Sequence, residues 1–205
     1  MKKLLITGFD PFGGESVNPA YEAVRLLPEV VAGIKLCKLE VPTEFVRSGA
    51  VLRAALAAER PDAVLCAGQA GGRAAITPER VAINLMDARI PDNTGFRPVD
   101  QPIVPGGPAA YFATLPVRRM AEAIEKAGLP AQISNTAGTY VCNSLLYMLL
   151  HTAAVEYPGL IGGFIHVPYV LEQLPGKPEG TPGLALQQIA QGLSCAIEAI
   201  AEAWS

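Results

Sequence analysis

The sequence predicts an α/β protein, a three-layer α/β/α sandwich around a mostly parallel, twisted sheet. Apolar segments of strand length alternate with longer segments of helical composition along the chain. Most of the strand-like segments, such as residues 3–7 and 62–67, are continuous apolar runs, which is typical of strands buried on both faces. Because such strands belong to sheets covered by helices on both sides, we expect one domain over residues 1–205.

The first half of the chain contains three predicted strands and two predicted helices. The strands cover residues 3–7, 34–41 and 62–67, and the helices cover residues 19–27 and 43–60. Asn18 and Pro19 mark the start of the first helix, because Asn is a common N-cap and Pro fits the first helical position. Pro61 ends the second helix, since Pro cannot continue the helical hydrogen bonds.

The second half alternates in the same way around one irregular segment. Its predicted strands cover residues 81–86, 130–133 and 160–167, and its helices cover residues 111–127, 142–151 and 184–204. Residues 87–107 are rich in Pro, Gly, Asp and Asn, and such a stretch without periodicity is typical of a functional or capping loop. The last helix is amphipathic, with apolar residues three or four positions apart at Leu186, Ile189, Leu193, Ile197, Ile200 and Trp204.

Composition and charge argue against several classes of protein. The formal net charge is -3 and no basic run is present, so neither nucleic acid nor an anionic membrane is an expected partner. No apolar stretch approaches transmembrane length, and the first apolar run is too short for a signal peptide. The four cysteines are scattered without a CxxC pair, which favours free thiols and a cytoplasmic location.

No metal or cofactor is expected. The chain has two histidines and neither an HExxH nor a CxxC pattern, so a zinc site is not indicated. The glycine-rich segment 8–14 lacks both the GK[ST] ending and the GxGxxG spacing of nucleotide-binding loops.

That segment contains two phenylalanines, Phe9 and Phe12, where small polar residues are usual. Either both rings pack into the core, or they line an apolar pocket at the C-terminal end of the first strand. Open α/β sheets bind their ligands at that end of the strands.

Cys142 is the candidate nucleophile. It lies where small and polar residues give way to the apolar run 145–150, so we expect it at the start of a helix. The free N–H groups and the positive end of the helix dipole favour the thiolate, which is the nucleophilic form of cysteine. The alternative is a small buried hydrophobic residue, as most single cysteines are.

His166 is the candidate base. His151 follows Cys142 by nine residues on one predicted helix, about 13 Å away, which is too far for proton transfer. His166 ends an apolar strand, where catalytic groups collect in this architecture, although a core histidine remains the alternative. Glu79 is the best-placed carboxylate to orient it, unless it forms a solvated ion pair with Arg73 or Arg80.

Five segments together resemble the pyroglutamyl-peptidase I family of cysteine peptidases, also called pyrrolidone-carboxylate peptidases. The segments cover residues 8–14, 77–84, 87–93, 137–143 and 163–169. The resemblance implies a triad of Glu79, Cys142 and His166 in a single α/β/α domain without a metal. It also implies a cytoplasmic enzyme, commonly a homotetramer, that acts on peptides with an N-terminal pyroglutamate through a thioester intermediate.

The resemblance also implies where the substrate is held. Phe9 and Phe12 could sandwich the flat pyroglutamyl ring, and Gln69 and Asn18 could meet its polar edge, although Asn18 is equally an N-cap.

Arg89 could assist the backbone N–H of Cys142 in stabilising the oxyanion, and Tyr140 and Val141 lie near the pocket. The position of Tyr140 is often Phe in the family, and a hydroxyl there needs a partner or water.

Two other functions stay open on the residues alone. One is another cysteine amidase of the same architecture, and the other is a non-catalytic α/β module that binds a metabolite. In the module Cys142 is merely structural, so alkylation of a single hyper-reactive cysteine would distinguish it from either enzyme.

Overall fold

The computed structural model describes residues 1–204 and has the predicted α/β architecture. Its strands are β1 (Lys3–Phe9), β2 (Val30–Val31), β3 (Ile34–Val41), β4 (Ala63–Gln69), β5 (Thr77–Glu79), β6 (Val81–Ile83), β7 (Ala110–Phe112), β8 (Ile161–Val167), β9 (Tyr169–Val170) and β10 (Gly183–Leu184). Its helices are α1 (Pro19–Leu26), α2 (Phe45–Glu59), α3 (Val117–Lys126), α4 (Val141–Glu156) and α5 (Leu186–Ala203). Among the helices of residues 1–204, none has the length and apolar character needed to cross a membrane.

Six strands form the central sheet, in the order β2-β3-β1-β4-β8-β5. The inner strands β3, β1, β4 and β8 are parallel neighbours, whereas β2 and β5 pair antiparallel at the two edges. The C-terminal ends of the parallel strands therefore meet along one side of the sheet, which is where such sheets place their binding sites.

Helices cover both faces of this sheet. Helices α1, α3 and α5 pack on one face with strand residues such as Ile6 and Leu65. Helices α2 and α4 pack on the other face with Leu5 and Val64. Neighbouring residues of one strand thus enter opposite cores, which is the physical reason for the continuous apolar runs in the sequence. The predicted three-layer α/β/α sandwich is confirmed.

Several elements follow the sequence closely. β3 has the bounds predicted for the second strand, residues 34–41. The predicted apolar stripe of α5 lies in the core, with Ile189 and Leu193 fully buried. Asn18 caps α1, because its Oδ1 accepts a hydrogen bond from the backbone N–H of Ala20 at 3.1 Å.

The segment predicted as a strand over residues 130–133 does not form a continuous strand. It runs beside β5 through two isolated parallel bridges, Ile76 with Ala131 and Glu79 with Ser134. Backbone hydrogen bonds join the two segments, such as that from the N–H of Ser134 to the carbonyl of Pro78 at 3.0 Å. The edge of the central sheet is formed by β5, and an edge strand tolerates a proline, which has no N–H to donate.

The helix predicted over residues 111–127 is shorter and begins at Val117, directly after Pro116. A proline disfavours the helical conformation of the residue before it, so the preceding segment is free to extend. It forms β7, which pairs antiparallel with β6 in a separate two-stranded sheet. The strand predicted over residues 81–86 accordingly ends at Ile83.

Candidate active site

Three strands bring the candidate catalytic residues to one face of the sheet. Gly68, near the end of β4, is paired with His166 of β8, and His166 is paired with Thr77 of β5. Because side chains alternate along a strand, Glu79 lies on the same face as Thr77. This is the face that α4 covers.

The His166 imidazole is hydrogen-bonded to the Glu79 carboxylate. Nδ1 of His166 lies 2.6 Å from Oε1 of Glu79. Glu79 is completely buried, at 0% exposure, and His166 is buried at 3%. With Glu79 ionised, Nδ1–H donates to the carboxylate, and Nε2 is left as an acceptor for an incoming proton.

Cys142 is the second residue of α4 and is partly exposed, as expected for a residue at the start of that helix. Its Sγ lies directly over Gly68, since a Cβ atom added to Gly68 would be only 2.9 Å from the sulfur. Gly68 is the register partner of His166, and neighbouring strands lie about 4.8 Å apart. The register therefore places the thiol above β4, on the face of the sheet that carries the imidazole of the neighbouring strand.

An arginine that sequence reasoning treated only as a possible solvated partner belongs to this cluster. Nη1 of Arg73 donates to Oε1 of Glu79 at 2.6 Å and to Oγ1 of Thr77 at 2.5 Å. Its Nη2 donates to the carbonyl of Thr136 at 3.1 Å. Arg80, the other candidate partner of Glu79, donates to Asn135 instead. Thr136 lies 63 residues from Arg73 in the sequence, so no local pattern marked this arginine.

The environment decides the charge of each group. Burial opposes ionisation of Glu79, but the hydrogen bond and charge of His166, helped by Ser134 and Arg73, hold the pKa of Glu79 below its usual value. Burial holds the pKa of His166 below its usual value, and the charge of Arg73 lowers it further, against the opposing effect of Glu79.

At Cys142 the start of α4, which was expected to favour the thiolate, is opposed by two stronger effects. Burial and, next, the negative charge of Glu79 raise the pKa of Cys142 to about 12, although Arg73 and the residue's own backbone N–H act in the other direction. At neutral pH the site therefore holds a thiol, a neutral imidazole and a carboxylate.

The two phenylalanines of the first glycine-rich segment have different surroundings. Phe9 is 2% exposed and its ring centroid lies 6.4 Å from that of Phe164, so it belongs to the core. Phe12 is partly exposed and its ring centroid lies 6.0 Å from that of Tyr140. The aromatic pair open to a ligand is thus Phe12 with Tyr140.

The two predicted amide contacts also differ from each other. Asn18 uses both ends of its amide within the fold, because Nδ2 donates to the carbonyl of Asp10 at 3.0 Å while Oδ1 caps α1. Gln69, at the end of β4, is buried, and its Oε1 accepts a hydrogen bond from Nε2 of Gln173 at 3.0 Å. That contact leaves the amide N–H groups of Gln69 as donors.

The remaining predicted pocket residues lie at the start of α4 and in the loop before it. Tyr140 satisfies its hydroxyl by donating to the carbonyl of Pro91 at 3.0 Å, and Val141 is fully buried. Arg89 is exposed and has no side-chain hydrogen bond to the residues that the structure describes.

The second histidine lies outside this cluster. His151 stacks on Tyr147 and its Nδ1 lies 2.9 Å from the hydroxyl of Tyr111. Across residues 1–204, no group of three or more His, Cys, Asp or Glu side chains is arranged to hold a metal ion.

Known proteins similar to this chain share its fold and most of its length. A family model described as pyroglutamyl peptidase matches residues 2–203. A pyrrolidone-carboxylate peptidase of Levilactobacillus brevis is 59% identical over 198 residues, covering 97% of both chains. Pyrrolidone-carboxylate peptidase 1 of Streptococcus pneumoniae is 52% identical over 200 residues, covering 98% of this chain and 93% of the relative.

Solved structures agree with these matches. The crystal structure of Bacillus amyloliquefaciens pyroglutamyl peptidase I superposes with a TM-score of 0.94 at 50% identity and covers 98% of each chain. A mutant pyrrolidone carboxyl peptidase of Pyrococcus furiosus also has a TM-score of 0.94, at 39% identity, with 99% of this chain and 100% of that chain covered. The chain therefore belongs to the pyroglutamyl peptidase family.

Proposed function

We propose that this member of the pyroglutamyl peptidase family removes an N-terminal pyroglutamyl residue from peptides, with Cys142 as nucleophile, His166 as general base and acid, and Glu79 as the residue that orients it. The observation that carries the proposal is the position of the Cys142 thiol over Gly68, the register partner of His166, whose Nδ1 lies 2.6 Å from Glu79. Family membership supplies the substrate class.

The first half of the reaction starts from a neutral thiol. As the sulfur of Cys142 attacks the carbonyl carbon that joins pyroglutamate to the next residue, Nε2 of His166 takes the thiol proton. Glu79 holds Nδ1–H and stabilises the imidazolium that forms. The tetrahedral intermediate then collapses, His166 donates its proton to the leaving amine, and a thioester remains on Cys142.

Water completes the cycle. His166, neutral again, removes a proton from a water molecule that attacks the thioester carbonyl. The carbon–sulfur bond breaks, pyroglutamate leaves as a free acid, and the thiol of Cys142 is restored.

The oxyanion of both tetrahedral intermediates is proposed to lie at the start of α4. The first N–H groups of a helix have no partner within the helix, and the backbone N–H of Cys142 is one of them. Arg89 is proposed as a second donor, since its exposed side chain is not engaged elsewhere among the described residues.

The pyroglutamyl ring is proposed to bind between an aromatic wall and a polar edge. Phe12 and Tyr140 supply the apolar wall, and the fully buried Val141 packs in the core behind Tyr140. Among the described residues, the amide N–H groups of Gln69 have no partner and can donate to the lactam carbonyl. Phe9 and Asn18 act indirectly, Phe9 by packing in the core and Asn18 by holding residues 10–20 through its two hydrogen bonds.

Selectivity tests this function. A slot with fixed polar partners for the lactam should prefer pyroglutamyl amides over prolyl amides by roughly 10⁴-fold in kcat/KM, because proline leaves those partners unpaired. The measurement compares pyroglutamyl, prolyl and glutamyl amides with the same chromogenic leaving group, using Cys142→Ala as the inactive control.

The same assay separates the alternatives. Comparable kcat/KM values for the pyroglutamyl and prolyl amides would favour a general cysteine amidase. Absence of hydrolysis with every amide would favour the binding module. Either result would overturn the proposed function.

We further propose a single domain over residues 1–205, a cytoplasmic location, and assembly with further copies of the chain as a dimer or tetramer. Both apolar cores flank one sheet, which supports a single domain. Four free cysteines support a reducing compartment. Large apolar side chains on the surface, such as Phe112 at 70% exposure, support assembly, which a mass measurement in solution would test.

A further inference from the structure

The carboxylate of the proposed triad has a second cationic partner. Oε1 of Glu79 accepts hydrogen bonds from both His166 Nδ1 and Arg73 Nη1, each at 2.6 Å. The Glu79 carboxylate alone is sufficient to orient the imidazole of His166. Arg73, which is bonded to the same oxygen, must therefore have another role.

Arg73 is fixed in place rather than loosely paired. Its guanidinium bridges β5 and the segment before α4, because it also donates to Thr77 Oγ1 and to the carbonyl of Thr136. Its side chain is 29% exposed, whereas that of Glu79 is 0% exposed. An isolated ion pair at the surface contributes little, but a charge held by three contacts against a buried carboxylate acts with much less solvent screening.

We propose that Arg73 is a positioning residue of the catalytic centre: it fixes Glu79 as a correctly oriented anion against the imidazole of His166, and its positive charge opposes protonation of that imidazole. The proposal rests on the function assigned above to Glu79, Cys142 and His166. Arg73 touches neither the thiol nor the substrate in this arrangement and acts through Glu79.

The charged and titratable groups around His166 come from every element packed against it. Those that act on His166 are Glu79 on β5 and Arg73 in the loop before β5. The same two groups act on Cys142 of α4, together with Cys66 of β4. Arg73 lowers the pKa of all three groups of the triad, since its positive charge disfavours imidazolium and favours both the carboxylate and the thiolate. One residue thus adjusts the whole set toward a neutral base and a more acidic thiol.

Removing this charge should move the pH profile in a defined direction. In Arg73→Met, His166 loses the repulsion and faces a carboxylate that no other cation neutralises. The acid limb of kcat/KM, where His166 gains a proton, should then move upward by roughly one pH unit. The kcat/KM of Arg73→Met, relative to that of the wild type, should therefore be about tenfold lower at pH values below the acid limb than on the plateau.

Arg73→Lys separates charge from geometry. A lysine keeps the positive charge but cannot reproduce the planar set of donors to Glu79, Thr77 and Thr136. The acid limb should stay near that of the wild type, whereas kcat should fall several-fold with KM little changed.

Arg80→Met is the matched control. Arg80 flanks the other end of β5 and donates to Oδ1 of Asn135 at 2.6 Å, in the same segment before α4 that Arg73 contacts. It is not bonded to Glu79, so its loss should leave the pH profile and kcat unchanged. Thermal unfolding of each variant reports any structural damage.

The pH profiles and kcat values of these variants test the role of Arg73 separately from the proposed function. An unshifted acid limb in a folded Arg73→Met variant would overturn it, as would wild-type kcat in Arg73→Lys if Arg73→Met does not fold. A shifted limb that Arg73→Lys restores and Arg80→Met does not reproduce supports it. Failure of the proposed function would instead appear in the wild type, as absence of pyroglutamyl amide cleavage.

Discussion

Replacing Gly68 by alanine should cost activity as well as stability, whereas an equally crowded alanine away from the site should cost stability alone. The Cβ atom of an alanine at this position would lie 2.9 Å from Sγ of Cys142 and 2.7 Å from Cζ of Phe164. Both distances are shorter than ordinary contact, so both contacts must be relieved. The reason for a glycine here is therefore the space that the nucleophile occupies, not an unusual backbone conformation.

The side chains of Phe164 and Cys142 differ in how easily they can move. Phe164 is 1% exposed and lies in the packed core, whereas Cys142 is partly exposed at the start of α4. The sulfur should therefore move away, by about half an ångström or more to restore contact at about 3.4 Å. Overpacking of this kind costs about 1–3 kcal/mol of stability. A nucleophile displaced toward 1 Å can cost up to about 10²-fold in rate.

Gly163→Ala is the matched control for the steric cost. Its Cβ would lie 2.9 Å from Cδ1 of Leu115, in the core on the opposite face of the sheet. We expect both variants to unfold at lower temperature, but only Gly68→Ala to lose kcat and to react more slowly with iodoacetamide at Cys142. Wild-type kcat in Gly68→Ala, or equal losses of kcat in the two variants, would refute the reasoning.

Two further predictions concern the triad itself. Cys142→Ser should fold normally and have essentially no turnover, because a hydroxyl is far less acidic than a thiol. Cys195→Ser, the control, should retain activity. Turnover by Cys142→Ser in the amide assay would contradict the assignment of Cys142 as the nucleophile. Glu79→Gln should keep some activity and His166→Ala almost none, because the imidazole transfers the proton whereas the carboxylate only orients the imidazole. If both variants had equally negligible effects on kcat, the proposed triad would have no support.

Most of the architecture could be predicted because it depends on local patterns. Continuous apolar runs report burial on both faces of a strand, and β3 and β8 lie where those runs lie. The cap at Asn18 and the helix start at Cys142 follow from residues adjacent in sequence. His166 could be predicted from its position at the end of an apolar strand.

The errors fall where distant segments meet. β5 exists because an edge position of the sheet tolerates Pro78, and that position is set by the fold of the whole chain. Arg73 is bound to Thr136, which is far away in sequence, so no local pattern could show that it joins the catalytic cluster. The same holds for Gln173, whose amide orients that of Gln69.

The ionisation of the nucleophile shows why a local argument was insufficient. A helix N-terminus stabilises a nearby anion by about 0.3–1 kcal/mol, which is less than one unit of pKa. The rise of the Cys142 pKa from 9.0 to about 12 corresponds to about 4 kcal/mol, so burial and the charge of Glu79 outweigh the helix. A thiol that does not ionise alone must lose its proton during the attack, which requires an unprotonated imidazole beside it. The neutrality of His166 is thus as necessary to the chemistry as its position, and this links the nucleophile to Arg73.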